Sequence, residues 1–85
     1  MNAEEVKQLL LASFTDAIIN VKGDDGNFSV EVISQVFDGV NKLNRQKNVL
    51  LCVKQQITSG EIHAFSVQAY TQAEWEQNAY VLTVL

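Results

Sequence analysis

The sequence predicts an α+β domain in which a three-stranded mixed sheet carries its helices on one face. Three observations point there. Two alternating apolar stretches flank the turn-forming run Gly23-Asp24-Asp25-Gly26-Asn27. Helical spacing of apolar residues precedes them and follows them. A third alternating stretch comes only after that second helical region, so its connection is a crossover over one sheet face. The expected order is α-β-β-α-α-β-α.

The first helix starts at Asn2, with Glu5 placed to complete a capping box. Val6, Leu9, Leu10 and Phe14 form its apolar stripe. Ala17 to Lys22 reads as a largely buried strand, with Ala17, Ile19 and Val21 on one face. A five-residue connection, Gly23 to Asn27, leads to a second strand in which Phe28, Val30 and Val32 alternate with Ser29 and Glu31. Together these strands read as an antiparallel hairpin. Ser34 to Phe37 suits a short helical turn ended near Gly39. A longer helix is expected from about Asn44 to Ser59, with Leu43, Leu50, Val53 and Ile57 on one face and Gly60 just past its end. The third strand, Ile62 to Ala69, turns Phe65, Val67 and Ala69 to one side, and His63 shares their parity. Thr71 with Glu74 forms a second capping box, and Tyr70 with Trp75 a hydrophobic staple, at the start of a last helix. The apolar tail from Tyr80 to Leu85 has three options: packing back on the domain, extending that helix, or joining a partner.

Eighty-five residues make a single domain over 1–85. A chain of this size buries only about 60–65% of its unfolded surface, which leaves little room for a deep pocket. Nothing approaches the roughly 18 apolar residues of a membrane helix. The start, Met1 to Leu10, lacks the basic and apolar regions of a signal peptide, so the expected location is cytoplasmic. A net charge of −4 argues against sequence-independent binding of phosphate backbones. One cysteine precludes an internal disulfide and agrees with a reducing compartment. One cysteine and one histidine also fall short of a four-ligand Cys/His metal site, so a metal here needs ligands from elsewhere.

His63 is the foremost candidate for chemistry. It is either a strand histidine satisfied by a backbone carbonyl, or, at the mouth of a strand leaving a Gly-containing loop, an imidazole able to ligate a metal or exchange a proton. Cys52 falls off the expected core stripe, and only Lys54 lies near enough in sequence to lower its pKa, so it reads as an inert apolar residue. Asp24 and Asp25 form a solvated turn without the further oxygens of a calcium loop. Lys42, Arg45 and Lys47 gather around the start of the long helix, where they read as surface charge or as a small phosphate-contacting patch. No nucleophile–base signature stands out, so the chain does not read as an enzyme.

Val21 to Val30, then Val36 to Val40 running into Asn44 to Val49, then Glu61 to Trp75, where a His-Ala strand leads into Thr-x-Ala-Glu-Trp, form three stretches in a set order. Taken together they resemble the BolA family and within it the IbaG (YrbA) branch. The resemblance spans about residues 3–78, leaving 79–85 as the tail. It implies a fold like a class II KH domain. It also implies partnership with a monothiol glutaredoxin and a shared [2Fe-2S] cluster, in which the glutaredoxin and glutathione supply thiolates and His63 matches the histidine ligand. Mixed His and Cys ligation of such a cluster is chemically sound. The chain departs from the family pattern at the hairpin, where Asn27 stands near the position of a second His or Cys, and at Gly39-Val40-Asn41-Lys42, where a GxxG loop lacks its second glycine. The family's link to transcriptional control makes nucleic-acid binding through Lys42, Arg45 and Lys47 the alternative function.

Overall fold

A computed structural model describes residues 1–77. Its elements are α1 (Ala3–Ser13), β1 (Ile18–Asp24), β2 (Asn27–Ile33), a 3₁₀ turn (Gln35–Phe37), α2 (Lys42–Leu51), α3 (Lys54–Ser59) and β3 (Ala64–Tyr70), followed by helical residues 72–77, termed α4. The sheet order is β1-β2-β3, with β1 antiparallel and β3 parallel to the central β2. The α+β class and the mixed three-stranded sheet agree with the sequence reading. The tail from Tyr80 to Leu85 lies outside the described residues.

Both capping boxes form. The Glu5 amide donates to Asn2 Oδ1 at 2.8 Å, and the Asn2 amide donates to Glu5 Oε1 at 3.0 Å. At α4 the Thr71 amide donates to Glu74 Oε1 at 2.8 Å, and the Glu74 amide donates to Thr71 Oγ1 at 3.2 Å. The Tyr70 and Trp75 rings lie 5.6 Å apart, as the staple requires.

One core joins the helices to one sheet face. Val6, Leu10 and Phe14 of the α1 stripe meet Ile19, Phe28, Val30 and Val32 from the strands, and Phe37, Val49, Val53 and Ile62 complete the cluster. Phe65, Val67 and Ala69 pack against it from β3. The opposite parity, Asn20, Lys22, Ser29, Ser66 and Gln68, faces solvent. There the Ser66 hydroxyl donates to Ser29 Oγ at 2.9 Å.

Four expectations need correction. β1 is not largely buried: Ile19 is its one buried residue, because β1 is an edge strand with one face open. The hairpin connection is two residues rather than five, since pairing continues to Asp24 opposite Asn27. Asp25 (φ 49°) and Gly26 (φ 81°) both take positive φ, as a type I′ turn demands, and that turn matches the twist of the flanking strands.

The third correction concerns the long helix. It starts earlier, where Asn41 Oδ1 accepts from the Asn44 amide at 2.9 Å, and it breaks at Cys52-Val53. There the Cys52 and Val53 amides donate three residues back, to Val49 and Leu50, and Val53 leaves helical geometry at φ −119°, ψ 14°. The inward face is Arg45, Val49 and Val53. Of the expected stripe only Val53 is fully buried; Leu43 is 62% and Ile57 41% exposed. Burying Arg45 is what rotates the stripe. Finally, β3 begins at Ala64, so His63 precedes the strand instead of lying in it.

Candidate functional site

His63 sits between two anchors. Ile62, 2% exposed, fills the core, and its amide donates to Gln56 O at 3.0 Å. On the other side the parallel register sets Ala64 opposite Asn27. The Gly26 carbonyl accepts from both the His63 amide at 2.7 Å and the Ala64 amide at 3.1 Å. The backbone of His63 is thus tied to the tip of the β1–β2 hairpin, while its side chain is exposed. Among the described residues no hydrogen bond engages the ring nitrogens, so the imidazole is not the carbonyl-satisfied histidine weighed above. A nitrogen lone pair is available to a metal or a proton. Asp24, Asp25, Asn27 and Glu61, also exposed, occupy the same end of the sheet. No three His, Cys, Asp or Glu side chains among the described residues stand together as a metal site.

Cys52 lies at the α2–α3 junction, half-buried against the core, and its thiol faces Asn48 O at 3.6 Å. Asp25 and Asn27 belong to the hairpin tip, where the Asn27 side-chain amide donates to Asp25 O at 3.4 Å. In the broken GxxG segment Asn41 serves as the cap of α2.

Arg45 leaves the expected basic patch, which retains Lys42 and Lys47. Its guanidinium is buried over Phe37, 5.8 Å from the ring centroid. Nε donates to Val40 O at 2.7 Å, and Nη1 donates to Ala69 O at 3.1 Å and to Glu74 Oε1 at 2.6 Å. Every donor direction that matters is turned inward, so Arg45 presents no charge to a phosphate. The Arg45 hydrogen bond, aided by the Thr71 amide, holds the Glu74 carboxyl well below its ordinary value, at about 2. This cluster was not legible from α2 alone. A hint lay in Glu74, whose capping role fixes a carboxylate at the start of α4.

The family model described as BolA-like protein matches residues 9–74. The chain belongs to the BolA-like family. An uncharacterized protein of Acinetobacter guillouiae is 35% identical over 77 residues, covering 91% of this chain and 93% of that one. The acid stress protein IbaG of Escherichia coli K12 is 31% identical over 78 residues, covering 92% and 93%. Among solved structures, a BolA homologue from Coxiella burnetii superposes with a TM-score of 0.79 at 26% identity, covering 89% of this chain and 97% of that one. In this BolA-like chain the matched segment includes both the hairpin tip and His63.

Proposed function

We propose that this BolA-like protein is a non-enzymatic cytoplasmic partner of a monothiol glutaredoxin, sharing a [2Fe-2S] cluster through His63 in iron–sulfur handling or iron-linked regulation. The observation that carries the reading is the exposed His63 imidazole on a backbone fixed at both ends. A borderline nitrogen donor suits cluster iron, so the residue fits the group. The chain brings one such donor to this end of the sheet, and thiolates from the glutaredoxin and glutathione complete the ligand set. Asn27 offers a neutral amide, a poor substitute for imidazole or thiolate, and Cys52 is half-buried against the core with its thiol turned to Asn48 O. Bound between the two proteins, the cluster supplies one-electron redox chemistry and an environment-sensitive visible spectrum. The name of the IbaG relative adds acid stress as a setting in which such regulation would act. The nucleic-acid alternative is weakened by the inward-facing Arg45 and the net charge of −4.

The test mixes the purified protein with a monothiol glutaredoxin, iron, sulfide and glutathione. Wild type alters the visible spectrum of the glutaredoxin cluster, while His63→Ala leaves it as it is without added protein. His63→Ala keeps its stability within about 0.5 kcal/mol of wild type, as an exposed side chain should. A spectrum unaffected by wild type, or altered equally by His63→Ala, rejects the proposal.

A further inference from the structure

We infer that Gly26 is the positioning residue for the His63 side chain, so that the hairpin tip sets where the imidazole points. Its importance for cluster ligation rests on the function proposed above; the geometry does not. Gly26 is buried although it lies at a hairpin tip, because the His63 ring lies against it. A Cβ at Gly26 would stand 2.5 Å from His63 Cδ2 and 3.3 Å from Cγ. The first separation is shorter than real Cβ contacts allow, so any side chain at 26 forces the ring to move. The same Cβ would approach Glu61 O at 3.1 Å, which closes the other side. Meanwhile the Gly26 carbonyl holds the His63 and Ala64 amides. One glycine therefore fixes the backbone of the histidine and shapes the space its ring fills.

Backbone strain must be separated from this contact. Gly26 has φ +81°, so any L-residue there is strained. Gly39 provides the control. It has φ +74°, and a Cβ there meets nothing within 4 Å. Gly26→Ala and Gly39→Ala thus share the strain, and only the first displaces the ring.

The chain has a single histidine, so the imidazole carbon-bound protons give one assignable pair of NMR signals. We expect Gly26→Ala to shift both signals, and Gly39→Ala to leave them in place. Unmoved signals in Gly26→Ala overturn the inference. Stability gives a second reading that needs no well-ordered single mutant. Adding Gly26→Ala to His63→Ala lowers the unfolding midpoint less than adding it to wild type, because the colliding ring is gone. An equal loss in both backgrounds overturns the inference, even where Gly26→Ala alone folds poorly. In the glutaredoxin mixture Gly26→Ala reproduces the spectral loss of His63→Ala; a wild-type spectrum from a chain whose ring has moved overturns the positioning role. If His63→Ala itself proves inert in that mixture, the proposed function falls, while the NMR and stability comparisons still decide the geometry.

Discussion

Replacing Arg45 by methionine tests whether this residue is a structural tie rather than a surface charge. Methionine keeps the apolar stem over Phe37 and removes the guanidinium. Two backbone carbonyls, Val40 O and Ala69 O, then lose charged donors at 2.7 and 3.1 Å. Hydrogen bonds to a charged group contribute about 1.5–3 kcal/mol each when their partners are otherwise desolvated. The Glu74 carboxylate is 46% exposed, so its pairing adds at most about 1 kcal/mol after solvent screening. Water reaching Val40 O recovers part of the loss, since Val40 is only half-buried. The expected destabilisation is about 2–4 kcal/mol, a large part of the roughly 4–13 kcal/mol that a chain of this length holds in reserve. At about 4–8 °C per kcal/mol this lowers Tm by about 8–32 °C. Arg45→Lys recovers under half of it, because an ammonium cannot span three acceptors that a planar fork reaches. Lys47→Ala, on the exposed face of the same helix, changes stability by less than about 0.5 kcal/mol. Urea and thermal unfolding measure all three. An Arg45→Met change as small as that of Lys47→Ala would refute the buried-tie argument.

The Arg45–Glu74 pair also sets a pH dependence. The folded-state pKa of Glu74, about 2, lies below its ordinary value of 4.5, so its contribution is fully present above pH 4.5 and is lost as pH falls toward 2. The Tm difference between wild type and Glu74→Gln should therefore narrow across that window; a gap that widens on acidification contradicts the assignment. A further prediction concerns Asn27, which pairs in register with Ala64 beside His63. Asn27→His supplies a second imidazole at the hairpin, and under the proposed function the cluster formed with glutaredoxin should resist loss to an iron chelator longer than with wild type. Equal lifetimes would show that position 27 does not face the cluster.

What could be read from the sequence was local. Asn2 with Glu5, and Thr71 with Glu74, lie three residues apart, so their caps are written in adjacent chemistry. The period-2 strands are legible for the same reason. The hairpin tip carried its signal too: Asp25-Gly26 is a preferred type I′ pair, but the neighbouring Gly23 and Asn27 made a longer loop equally readable. The face of α2 could not be read, because helical periodicity counts Arg45 as polar. Its partners on β3 and α4, 24 and 29 residues away, are needed to make its burial favourable and are invisible to a local pattern. Val49 and Val53 continue that same inward face up to the break at Cys52-Val53.

The location of His63 depends on two registers that meet at one carbonyl. The two-residue turn fixes β1 against β2, and the α2–α3 crossover brings β3 back parallel to β2. Gly26 O accepts one amide from each side of the loop-to-strand transition at His63-Ala64. A one-residue slip of β3 would exchange its faces, sending Phe65, Val67 and Ala69 into solvent, so the core polices the register. His63 therefore inherits its placement from apolar packing it does not join. This explains how a domain with little room for a pocket can offer a well-placed imidazole: the fold fixes its backbone at the sheet's end, and in the proposed function a second protein completes the coordination. It also explains why Gly26, rather than a neighbouring charge, is the residue whose change should reach His63 first.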